Sequence, residues 1–311
     1  MKKSRIVCIV LAASGLLIVP AMAWLARGHY RIGPQAVATL PDDLPAFFRS
    51  GAPAIAHYSL DPDVFTRPIA PAELHDAESP EHYFDIELLA GEKPPPARYA
   101  FIELCARKGL KPQKVGLLPY AIVEWTQRLT AVFAEYRKWP DNPYIQQKAL
   151  VYAGILSHYA ADLCQPLHTT IHYDGRARDD GSSPRSGIHL KADALIGKLA
   201  QAPTPPASRA AVPAQAAEVK AFDALLPAVL EELGRSHALV DKVYELEKDL
   251  PAENEPLKAD SPSAQFARGR LEAASTFIAR LYETAWKNSE KIELPSWHVR
   301  EQATSPAAPP P

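Results

Sequence analysis

One segment constrains this chain more than any other: His158-Tyr-Ala-Ala-Asp162-Leu-Cys-Gln-Pro-Leu-His168. It lies in an apolar run with Val151, Ile155, Tyr159 and Leu163 at helical spacing, which predicts a helix carrying His158 and Asp162 on one face, one turn apart. A buried imidazole and a buried carboxylate need partners, and a metal ion held between them satisfies both. Pro166 ends the helix and turns the chain, so His168 can come back toward the same space from another direction. Downstream, Gly187-Ile-His189-Leu-Lys-Ala-Asp193 repeats the His and Asp at i and i+4, just after a polar loop that can end in a helix start.

Either pair alone reads more readily as a surface ion pair or a cap. Two such pairs with a third histidine, all near predicted helix ends, shift the balance toward a metal centre. The donors are nitrogen and oxygen without thiolate, which suits zinc sites that keep positions open for water and substrate.

The N-terminus carries a second pattern. Lys2, Lys3 and Arg5, the apolar run from Ile6 to Val19 and the small-x-small sequence Ala21-Met22-Ala23 describe a secretory signal peptide over residues 1–23. A secreted or periplasmic mature chain beginning at Trp24 is expected. An uncleaved anchor is the rival, but the run is short against the roughly 20 residues of a membrane span. Cys8 would leave with the signal, so Cys105 and Cys164 remain, and one disulfide is possible in an oxidising compartment. Cleavage after Ala23 would expose the Trp24 α-amine, which with its own carbonyl can chelate an ion, and His29 in Trp24-Leu-Ala-Arg-Gly28-His29 can add a ligand.

These pieces in order, Trp-x-x-x-Gly-His at the processed end, a His-aromatic-x-Asp segment, His-x-x-x-Asp-x-x-Gln-Pro-Leu-His and Gly-x-His-x-x-x-Asp, resemble a known family. It is the trinuclear-zinc superfamily of single-strand nucleases (S-one and P-one type) and bacterial zinc phospholipase C. The resemblance implies an all-α fold, a single mainly helical domain over residues 24–295 with three zinc ions in a cleft. It implies that Trp24 and His29 hold one ion together with Asp162, that His82 and His158 hold its neighbour with Asp162 bridging, and that His168, His189 and Asp193 hold the third. Asp61 and Asp63 are the candidates for the remaining ligand, and Asp63 is chosen, with an insertion around Pro68 to Glu78. By the same resemblance Asp63 orients the attacking hydroxide, and Tyr83 and Asp85 match positions that stack on and hydrogen-bond a nucleobase. Leu25 departs from the glycine common in the nucleases, at a position whose side chain is not a ligand.

The rest of the chain reads as follows. Residues 30–56 form a helix and a loop, and 86–112 a stiff surface excursion around Glu92-Lys-Pro-Pro-Pro. A core helix is predicted from Val115 to Tyr136, and Asn142 caps a helix starting at Pro143. The loop 173–187 offers Arg176, Arg178 and Arg185 to a phosphate or merely to water. His57, His75 and His172 fall outside the ligand pattern. A Pro/Ala-rich stretch at 202–215 precedes helical segments at 216–248 and 262–290, and residues 296–311 read as a disordered tail.

The formal charge of the 311 residues is −2, so there is no strongly basic surface for tight duplex binding. The expected function is a secreted zinc phosphodiesterase, an endonuclease on single-stranded DNA or RNA that leaves 5′-phosphates. Trp24 to His29 spacing and Asp193 as last ligand favour the nuclease side of the resemblance. The alternatives are a zinc phospholipase C acting on lipid head groups, which needs an exposed apolar patch at the site mouth, and a non-catalytic zinc-binding protein. No stable protein partner is inferred.

Overall fold

The apolar run around His158 folds as a helix from Pro143 to Leu163. In the computed structural model, which describes residues 25–67, 69–199 and 219–299, it is the ninth α-helix and the hub of the core. The expected signal peptide, Trp24, the 202–215 stretch and everything beyond residue 299 lie outside the described residues.

Seven helices precede the first long pair, beginning with α1 (Leu25–Ala38) and the short α2 (Ala46–Ser50), α3 (Ala52–Tyr58), α4 (Asp61–Phe65) and α5 (Ala72–Glu78). A 3₁₀ turn at Ser79–His82 follows, then another at Ile86–Leu89, α6 (Arg98–Arg107) and α7 (Pro112–Val115). The sequence had this region as one helix, loops and an excursion. Helices of one or two turns have too few internal bonds to announce themselves by periodicity, and they form here because tertiary packing holds them.

The core helix predicted at 115–136 is α8, Leu118–Lys138, and a four-residue turn joins it to α9, along which it packs. Asn142 accepts bonds from the backbone N–H of Tyr144 (3.0 Å) and Ile145 (3.4 Å), and Pro143 sits at the first helical position, where a missing N–H costs nothing. From Leu156 to Leu163 every residue of α9 is buried. Such a helix is enclosed on all sides, and its polar residues must find partners inside.

A 3₁₀ turn at Pro166–Thr169 carries the chain off α9. Then come α10 (Ile188–Lys198), α11 (Leu225–His237), α12 (Val240–Glu245) and α13 (Pro262–Asn288), the last capped by Ser261, which accepts from the Ala264 N–H. α13 packs on α1, α8, α9 and α10. Tyr282 of α13 donates to the Ala153 carbonyl of α9 at 2.8 Å, and its ring meets Phe48 edge-on, which meets Phe133 of α8 in turn. Each fully buried aromatic of this kind contributes about 1.5–3 kcal/mol.

No strand occurs among the described residues, only isolated bridges at Phe84–Gly116 and Tyr173–Gly175, so the fold is all-α. None of the described helices is long and apolar enough to cross a membrane. Cys105 and Cys164 are buried and free rather than paired, because α6 and the end of α9 hold them apart; Cys164 donates to Glu232 instead. Residues 296–299, expected to belong to the disordered tail, are helical, with the His298 ring edge-on to Trp139.

Candidate metal centre

α9 brings His158 and Asp162 into the core one turn apart, as their spacing dictates. Around them the other elements deliver one or two donors each: α1 His29, α4 Asp63, the 3₁₀ turns His82 and His168, and α10 His189 and Asp193. All eight side chains are buried, and they fall into three groups: His29, His158 and Asp162; Asp63, His82 and His158; His168, His189 and Asp193. Within each group the ligand atoms lie no more than 4.8 Å apart.

Asp162 joins the first two groups. Its Oδ1 stands 3.3 Å from His29 Nε2, while Oδ2 stands 3.1 Å from His82 Nδ1 and 3.3 Å from His158 Nε2. The rings of His29 and His158 stack at 3.9 Å. In the third group, Asp193 Oδ2 lies 3.3 Å from His189 Nε2, and Gln165 donates its amide to the other oxygen. Asp63, not Asp61, reaches His82 and His158.

Backbone carbonyls orient two of the imidazoles. His158 donates Nδ1–H to the Ser59 carbonyl at 2.7 Å, and His168 donates Nδ1–H to the His82 carbonyl at 2.8 Å, so that Nε2 of each faces its group. The Phe84 N–H returns a bond to the His168 carbonyl at 2.8 Å, which ties the two 3₁₀ turns together. These supporting groups were not legible in the sequence except Gln165, which sits in the Gln-Pro-Leu-His motif.

Burial sets the electrostatics. Burial works against the charged form of Asp162, but the His158 charge first, and then the imidazoles of His29 and His82 beside it, hold its carboxyl well below the usual range. Burial lowers His158 too, yet Asp162 outweighs it and raises the imidazole to about 9. In the third group burial wins: burial and then His168 push His189 well below its ordinary value against the pull of Asp162, and burial pushes Asp193 well above its own despite the bond from Gln165.

Whether such a set fits a metal ion is decided by its unpartnered atoms. His29 Nδ1 and Nε2, Asp63 Oδ2, Asp162 Oδ1, His168 Nε2, both His189 nitrogens and Asp193 Oδ2 are buried with no hydrogen-bond partner among the described residues. Buried polar groups are rarely left unpaired, and here most of the orphans belong to the clusters. A cation in each group would take one such atom from each residue facing it and would reverse the penalty on Asp193. The donor set fits.

Tyr83 and Asp85 lie beyond the turn that carries His82. The Tyr83 hydroxyl donates to the Gln113 carbonyl, and Asp85, burial first and Glu87 second, is raised to about 8. Tyr173 packs edge-on to His189. Of the loop arginines, Arg176 pairs with Asp241 and stacks on Tyr244, and Arg178 bonds within the loop to Ser182 and Ser183, so both have partners other than a phosphate. The loop's contribution is Asp174, whose Oδ1 accepts from the Gly187 N–H at 2.7 Å and fixes the start of α10 before His189.

No family model matches the chain, and no curated protein matches it. Among solved structures, the alpha toxin from Clostridium absonum superposes with a TM-score of 0.45 at 15% identity, over 85% of this chain and 64% of that one. The chain thus spans just under two thirds of that structure's length.

Proposed function

We propose that this chain is a zinc-dependent phosphodiesterase. One observation carries the reading: eight buried His and Asp side chains converge in three groups, two of them joined by one carboxylate, with unpartnered nitrogen and oxygen atoms inside. When bound, zinc supplies Lewis acidity and the positive charge that phosphodiester hydrolysis needs. His29, Asp63, His82, His158 and Asp162 would hold two neighbouring ions, with Trp24 completing one of them, and His168, His189 and Asp193 a third. Asp63 keeps Oδ2 free, and this oxygen accepts a hydrogen bond from the attacking water and orients it toward phosphorus. The buried groups exclude bulk water, which strengthens every charge interaction with the phosphate.

Between the two substrate classes, exposed apolar side chains on the elements that carry the ligands favour phospholipid. Tyr30, Val64 and Leu190 directly follow His29, Asp63 and His189 and are exposed, and Ile69 (84% exposed) and Leu74 occupy the stretch between Asp63 and His82. Large apolar side chains on the elements that carry the ligands suit an acyl or membrane surface. Glu73 and Asp76 in the same stretch would repel a polyanion. The nucleic-acid reading keeps Tyr83 and Asp85, since an aromatic ring and a neutral carboxyl suit a base as well as a head group.

The test is hydrolysis of phosphatidylcholine vesicles, single-stranded DNA and RNA side by side by metal-loaded protein, with a chelator control. Chelator-sensitive release of phosphocholine supports the phospholipase reading, and 5′-nucleotides the nuclease reading. Stable zinc with neither activity would leave a binding protein.

We propose further that secretion and cleavage after Ala23 create the Trp24 ligand. Protein beginning at Trp24 is expected to hold three zinc ions by elemental analysis; one extra N-terminal methionine should reduce that to two.

A further inference from the structure

We infer that Glu78, held in place by Tyr159, is a positioning residue that sets the tautomer and orientation of His82 toward its metal ion. The inference rests on the zinc reading above. His82 is arranged the opposite way round from His158 and His168. Its Nδ1 lies 3.1 Å from both His158 Nε2 and Asp162 Oδ2, so Nδ1 faces the cluster and Nε2 faces outward. That outward nitrogen is buried and has no hydrogen-bond partner among the described residues.

The charged group it meets is the Glu78 carboxylate, with Oε1 at 3.9 Å. Glu78 ends α5 and stands four residues before His82, a spacing that places both on one side of the continuing turn. The Tyr159 hydroxyl donates to the same Oε1, and the Tyr159 ring packs edge-on to His82 with centroids 5.5 Å apart. His82 is therefore held by the ring on one side and faces the carboxylate at its outer nitrogen. Its sequence neighbour Glu81 is engaged elsewhere, bound at both oxygens by Arg98.

The physical consequence is specific to an acid. A backbone carbonyl, as used for His158 and His168, fixes a ring; a carboxylate also draws the outer proton and makes the inner nitrogen a better donor to a cation. Metal bound at Nδ1 acidifies the Nε2 proton, and a small rotation of Glu78 closes the remaining gap to hydrogen-bond length. The stretch between Asp63 and His82, which the ligand pattern treats as an insertion, thereby gains a role in the centre.

The experiment uses the whole mature chain and its Glu78→Gln and Tyr159→Phe variants. Zinc affinity is measured by chelator competition, and the His82 ring by long-range proton–nitrogen NMR. The zinc-loaded protein should show His82 protonated at Nε2 with a far-downfield proton. Glu78→Gln, which keeps the shape, should weaken zinc binding about 10–100-fold, move that proton upfield and leave the melting temperature of chelator-treated protein unchanged. Tyr159→Phe should do the same to a smaller degree.

Unchanged affinity and an unmoved Nε2 proton in Glu78→Gln would overturn the inference while the zinc reading stands. So would a zinc-loaded structure with a Glu78 oxygen bound directly to the ion. A wild-type chain that takes up no zinc would overturn both.

Discussion

Asp162 is where the candidate centre is most concentrated, since its two oxygens face three imidazoles from α1, the His82 turn and α9 itself. Asp162→Asn keeps the shape but removes the charge that two neighbouring ions would share. Bound zinc should fall by two ions per chain in elemental analysis, leaving the one held by His168, His189 and Asp193. Asp85 carries a different expectation. Its folded-state value of about 8 lies above the ordinary 3.8, so its contribution to stability is fully present below about pH 4 and is lost as pH rises through 8. In chelator-treated protein the stability should fall between pH 6.5 and 8.5 by up to about 1.4 kcal/mol per unit from this group. Urea unfolding of Asp85→Asn, in which that part of the slope should vanish, checks the sign; an equal slope in both proteins would contradict the assignment. At this scale the sequence was informative wherever spacing alone decides proximity, as for His158 with Asp162 and His189 with Asp193. Spacing alone does not separate Asp61 from Asp63, two residues apart, because that depends on which side of a five-residue helix meets α9; Asp63, chosen on the resemblance, is the one grouped with His82 and His158.

Among the elements, α9 shows both what a pattern reveals and what it hides. Asn142, Pro143 and the apolar run marked its start and course, since capping and periodicity are local. Its contact with α3 is not local. Gly154 lies where a Cβ would sit 2.5 Å from Tyr58 Cβ and 3.0 Å from the Ile55 carbonyl, so the two helices touch backbone to backbone. Gly154→Ala must push α3 away, with an expected loss of about 1–3 kcal/mol, read as a lower denaturant midpoint at constant slope. Because Ser59 at the end of α3 orients His158, the same variant should also bind zinc more weakly than wild type. The 3₁₀ turn carrying His82 is held by another clamp: Arg98 of α6 bonds Glu81 at 2.9 Å and Glu124 of α8 at 2.7 Å. Neither α6 nor this clamp was visible in a stretch that composition marked as an excursion.

For the molecule as a whole, metal and fold are coupled. Three groups of buried donors lie between helices from both halves of the chain, so ions held there would bind the folded state and not the unfolded one. At free zinc about 1,000 times its dissociation constant, one site adds about 4 kcal/mol, and about 2–4 °C per kcal/mol is expected for a domain approaching this size. Calorimetry should therefore show a melting temperature higher by roughly 10 °C or more with zinc than with chelator; coincident curves would argue against a structural coupling. The sequence by itself determined that the chain would be mainly helical, which helix would be its core, and that His158 with Asp162 and His189 with Asp193 would each share a helix face, because periodicity, capping and i, i+4 spacing act within a few residues. Tertiary structure alone decided that Asp63 faces the cluster, that Cys105 and Cys164 stay apart, and that Ser59 and Glu78 stand behind the candidate ligands. Those relations join residues far apart in the chain or depend on the angle between packed helices, and no local pattern encodes either.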